Sequence, residues 1–299
     1  MTLGVVYGTS LVAAIASLAA GAVASGAPGA LRTVAGSLVP GRSATALGLD
    51  SAVSQAMFML GPALAATVST VWDPAYFLPA VSVALLLVGP IVGRLPEPVS
   101  EVNPADPHRG LRGMVSTMIP GVVASIVVMA LVATLDTTLP GHLDNIEASR
   151  FYAGPLLAVL ASSSIVASLI YGARDWPGNP ADQAMAASLL FALAVGAMSL
   201  SSHWMVLAGL IVVGGACQAP ALTARNLSVS QTIPRRDQPS AFSILYASGG
   251  IGYTLSSAYV AATIDELGAS RTQSVCAATA VVLIAVVWVM EVRRRRQQA

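Results

Sequence analysis

Apolar positions do not alternate along this chain; they come in long blocks. Nine such blocks, at roughly 8–38, 51–72, 75–94, 113–135, 150–172, 182–201, 204–231, 240–263 and 272–291, each approach the ~20 residues that carry an α-helix across a bilayer core. The short alternating segments of a membrane β-barrel do not occur. The pattern predicts an all-α polytopic membrane protein with about nine transmembrane helices. The first 27 residues lack a basic stretch ahead of their apolar run, so they read as the start of a span rather than a secretory signal. The first and seventh blocks exceed a straight crossing and contain Pro28 and Pro220. Kinks are expected there, with neighbouring helices satisfying the released carbonyls.

The longest polar break is 95–112, LPEPVSEVNPADPHRGLR. Four prolines and mixed charge make it a linker. It divides the chain into 1–94 with three spans, a central loop 95–112, and 113–299 with six spans and an arginine-rich tail. Composition agrees: 55% of residues are hydrophobic and 10% charged, against about 25% charged in soluble domains. All fifteen basic residues are arginine, and with abundant Ala, Gly and Val this suggests a bacterial source. If residue 39 lies in the cytoplasm, thirteen arginines fall inside and two, Arg150 and Arg271, outside. That is the positive-inside pattern of a plasma-membrane protein, with its N-terminus outside and C-terminus cytoplasmic. The outer loops are expected to hold Asp73, Asp136, Asp144, Glu147, Asp265 and Glu266.

Two stretches repeat. Ala27-Pro28, Arg32, Pro40, Arg42 and Ser43-Ala44 align in order with Ala219-Pro220, Arg225, Pro234, Arg236 and Ser240-Ala241, the offset drifting from 192 to 197. Each leads out of one span, through a Pro-Arg turn, into the next. The copies join spans one to two and seven to eight, a shift of six. An even shift keeps both copies in the same orientation, as in a parallel six-helix repeat.

With this repeat, the loop 95–112 and the stretch SAVSQAMFMLGPALAAT at 51–67, the chain resembles the major facilitator superfamily of twelve-helix secondary transporters. The resemblance runs over essentially the whole chain and aligns it with family helices four to twelve. It implies a partial first bundle, a full six-helix second bundle, and an N-terminal truncation of three helices. Gly61-Pro62 stand where the family's fifth-helix antiporter motif lies, which implies export. Ala65-Ala66 and Met57 replace glycines of that motif, and small residues there serve close helix approach. The family's gating loop has only a loose echo in Gly172, Arg174 and Asp175. Ser17 stands where drug–proton exporters often carry an arginine, so coupling of that kind is not implied.

Ionisable residues inside spans are the default candidates for function. Arg32, Arg225 and Asp50 sit near inner ends and are candidate gating charges, the alternative being arginines that reach out to headgroups. Gln55, Gln218, Tyr246 and Tyr253 are polar groups nearer mid-membrane and candidate substrate-binding residues, against plain interhelical hydrogen bonds. Ser162–Ser164 and the glycines at 214–215 and 249–252 read as packing surfaces. So few charges imply an uncharged or hydrophobic small-molecule substrate. Cys217 and Cys276 lie in apolar runs and His108, His142 and His203 are scattered, so no metal site, no cofactor and no catalytic set is expected. A net charge of +1 gives no sign of nucleic-acid binding. The expected function is a secondary transporter, by efflux. The alternative is a non-transporting fragment whose missing helices a partner supplies.

Overall fold

The computed structural model describes residue 32 and residues 43–71 and 111–298. The blocks at 8–38 (apart from Arg32) and 75–94, and the loop up to residue 110, lie outside the described residues. Seven long helices make up the rest: α1 Ser43–Val71, α2 Leu111–Asn145, α3 Ala153–Ala173, α4 Pro180–Ser199, α5 Trp204–Thr232, α6 Gln238–Leu267 and α7 Ala269–Gln298. Among the described residues every regular element is helical.

Their ends follow local chemistry. Asn179 caps α4 by accepting from the Ala181 N–H at 2.8 Å, with Pro180 in the first turn, where its missing N–H costs nothing. His203 caps α5 through Nδ1, which accepts from the Met205 N–H. Gly268, at φ 76°, turns the chain between α6 and α7, a backbone angle that favours glycine.

Two expectations about loops are corrected. α2 does not stop at 135 but runs through Pro140 to Asn145, so Asp136 lies within a helix. Thr137 and Thr138, one turn before the proline, donate to the carbonyls of Ala133 and Thr134. Similarly, α6 runs to Leu267, which places Asp265 and Glu266 in its last turn. α2, α3, α4, α5 and α7 are long and apolar enough to cross a membrane. α1 and α6 have comparable length but are diluted by Asp50 and Gln55 in α1, and by serines and Gly249, Gly250 and Gly252 in α6.

The main core joins α2, α4, α5 and α7 through Leu131, Leu135, Phe191, Val195, Met198, Ile211 and Ile284. α6 lies along α2, and α1 lies against α3 and α5. Small residues set these approaches, as they do where lipid removes the hydrophobic drive between helices. A methyl added at Gly252 would sit 2.1 Å from the Ile126 carbonyl oxygen, and one at Gly215 2.3 Å from that of Leu160. Gly214, Gly215, Gly249 and Gly252 are thus helix contacts, whereas Gly250 faces open space. At the α1–α3 crossing, a methyl on Gly48 would meet the Gly172 Cα at 2.9 Å.

Antiparallel succession gives the bundle two ends. The starts of α1, α2, α4 and α6 share one end with the finishes of α3, α5 and α7. This is called the basic end here, for Arg293, Arg295 and Arg296; the other is the acidic end.

Candidate functional site

Charge concentrates where α1 meets α5 near the basic end. Arg32 Nε donates to Asp50 Oδ2 at 2.7 Å, and both side chains are largely buried. Arg225, on α5, lies within electrostatic reach of both and is 5% exposed. It does not reach out to the headgroup region. Its Nη1 donates to Ser125 Oγ on α2 at 2.6 Å, and Nε and Nη2 donate to Asn226 Oδ1 at 3.2 and 3.0 Å. The three candidate gating charges therefore come together, yet only Arg32 and Asp50 form an ion pair.

The surrounding seam mixes apolar packing of Leu47, Tyr171, Ala224 and Leu227 with polar ties. Thr223 donates to Ser51 Oγ at 2.8 Å, tying α5 to α1, and Thr45 donates to the Gly172 carbonyl at 2.8 Å, tying α1 to α3. Gly172, one residue of the loop echo, is thus a packing position. Arg174, another, lies over the Trp176 ring, which stacks on Tyr171.

The candidate binding residues do not form one cluster. Gln55 is buried on α1. Gln218 is buried on α5 and accepts from Ser164 Oγ of α3 at 3.3 Å, while Ser164 also donates to the Gly215 carbonyl. Tyr253 donates to Asp136 Oδ2 at 3.1 Å, between α6 and α2. Tyr246 is 47% exposed on α6. α1 is helical through Gly61 and Pro62, but the surroundings of their side chains lie outside the described residues.

Some polar residues escaped the sequence reading. At the acidic end His142 is 2% exposed, so a buried histidine does occur within a span. Its Nδ1 lies 2.8 Å from Ser270 Oγ and its Nε2 3.2 Å from Ser201 Oγ. Beside it Gln273 accepts from Thr138 at 3.1 Å and donates to the Val195 carbonyl at 2.9 Å. At the basic end Arg295 of α7 pairs with Asp182 of α4 at 2.9 Å and with Glu291 at 3.0 Å. The Glu291–Arg295 spacing was legible as a helical i,i+4 pair; the Asp182 contact was not. A cavity of about 150 Å³ opens here between α2, α4, α5 and α7, with Arg225 in its wall. Among the described residues no group of His, Cys, Asp and Glu could hold a metal ion.

Comparison with known proteins adds one finding. The family model described as Major Facilitator Superfamily matches residues 178–299, the stretch that contains α4 to α7. No curated protein and no solved structure matches the chain. Over residues 178–299, less than half of its length, the chain is similar to the Major Facilitator Superfamily, a family of secondary transporters, and its bundle of long apolar helices is that of a multi-pass membrane protein.

Proposed function

We propose that the chain exports an uncharged or hydrophobic small molecule by alternating access. In this reading α1 and the segment bearing Arg32 rock against α3 and α5, and the Arg32–Asp50 pair with Arg225 forms the gate. The basic end then faces the cytoplasm of a bacterial cell, as its arginines favour. The gate carries the proposal. Buried ion pairs contribute little net stability, because desolvation offsets their attraction. The contact of that pair with Arg225, which crosses from α1 to α5, is therefore better suited to opening than to permanent glue. Gln55 and Gln218, buried on α1 and α5, supply hydrogen bonds to a neutral substrate, while Tyr246 and Tyr253 lie apart from them. Gly61-Pro62 stand where the resemblance puts the antiporter motif, which favours export.

The test is reconstitution of the full chain in liposomes loaded with an uncharged lipophilic fluorophore, under imposed proton or sodium gradients. Gradient-driven dye movement that falls at least tenfold in Asp50→Asn supports the reading. Equal movement in empty liposomes and in those holding the protein, under both gradients, overturns it.

A further inference from the structure

Arg225 does more than face Asp50. A guanidinium has five N–H donors. Three of the five are used, on Ser125 and Asn226. Both partners are neutral, and among the described residues no carboxylate lies within ion-pair distance of Arg225. Two donors remain. The next charges do not supply what is missing: Asp50 is engaged by Arg32 at 2.7 Å. Arg32 itself keeps Nη1 buried without a hydrogen-bond partner among the described residues. The buried group thus holds two cations and one anion.

Arg225 also lines the 150 Å³ cavity, together with Thr117, Asn179, Ser228, Thr232 and Glu291. That volume is about ten times what one water needs. Gly121 lets α2 pass the arginine closely, since a methyl there would lie 3.4 Å from Arg225 Cγ. The rim charges are occupied among themselves, Arg295 holding both Asp182 and Glu291. A buried cation with spare donors at the wall of a polar cavity is an oxyanion site, because guanidinium geometry matches two oxygens at once.

We infer that this cavity, inside the C-terminal bundle at its basic end, binds a phosphate-class oxyanion on Arg225. The site shares Arg225 with the proposed gate, while its other walls come from α2, α4, α5 and α7, and it does not depend on what the protein transports. The phosphate group has two possible sources, a free anion or a phospholipid headgroup, and the chemistry at Arg225 is the same.

The test uses the full chain in neutral detergent. Thermal unfolding is followed against sodium phosphate, with sodium chloride matched for ionic strength, and phosphorus retained after delipidation is assayed in parallel. Arg225→Gln removes the cation. Should that variant fail to fold, Ser228→Leu fills the cavity and leaves Arg225 in place. A saturable rise of about 2 °C at ten times the Kd, lost in Ser228→Leu, supports a site open to free anions. No phosphate response, but stoichiometric phosphorus retained by the native chain and lost in Ser228→Leu, supports a lipid headgroup. Neither a phosphate-specific shift nor retained phosphorus that depends on residue 228 overturns the inference.

Discussion

Two polar seams run through the molecule, and they are built in opposite ways. At the basic end α1 meets α3 and α5 through charge: Arg32, Asp50 and Arg225, with donors left over. At the acidic end α2, α4 and α7 meet through neutral groups: His142, Ser201, Ser270, Thr138 and Gln273, in a chain of bonds between 2.8 and 3.2 Å. The neutral seam needs no counter-charge and loses little when surrounded by lipid. The charged seam is stable only while its partners stay in register, so small displacements change its energy strongly. The contrast assigns movement to the first and rigidity to the second.

Steric substitutions separate the seams most sharply. Gly48→Val places a side chain where even a methyl would sit 2.8 Å from the Ser168 carbonyl oxygen. A loss of about 3 kcal/mol is expected, read as a lowered midpoint in SDS titration. Gly196→Ala, between α4 and α7, meets the Ala277 Cβ at an ordinary 3.5 Å and should leave that midpoint within about 0.5 kcal/mol.

Charge comes next. Asp50→Asn leaves Arg32 and Arg225 buried without a carboxylate and should destabilise by about 3 kcal/mol. The exchange Arg32→Asp with Asp50→Arg should recover most of that loss in the same titration. Ser125→Ala removes the shortest bond to Arg225, for a loss of about 2 kcal/mol. At the acidic end Gln273→Leu deletes two bonds yet should cost only about 1 kcal/mol, as interhelical hydrogen bonds in membranes do. An order reversed between Ser125→Ala and Gln273→Leu would remove the distinction between the seams.

Much of this architecture was legible in the sequence. Block length alone located α3, α4 and α5 to within a few residues, because a bilayer fixes how long an apolar run must be. The ends of α2 and α6 were missed because Asp136, Pro140, Asp265 and Glu266 look like loop residues. In the fold, Tyr253 donates to Asp136 and Asp265 and Glu266 are exposed at the end of α6; no local pattern announces the tyrosine partner. The internal repeat set Arg32 and Arg225 at corresponding positions, and Asp50 was a candidate only for its place near an inner end. That Arg225 would rest on Ser125, a hundred residues away, has no trace in the local sequence. His142 was passed over for the same reason: its hydrogen-bond partners come from two other elements of the chain.

The central claim is that the charged seam moves while the neutral seam stays fixed. Spin-label distances test it directly, after Cys217 and Cys276 are replaced by alanine. One pair is placed at Leu49 of α1 and Thr232 of α5, both exposed near the basic end. The other is placed at Leu200 and Arg271, both exposed at the acidic end. The account predicts that Asp50→Asn shifts or splits the Leu49–Thr232 distance and leaves the Leu200–Arg271 distance unchanged. A Leu49–Thr232 distance that does not move, or an acidic-end distance that moves with it, would contradict the account.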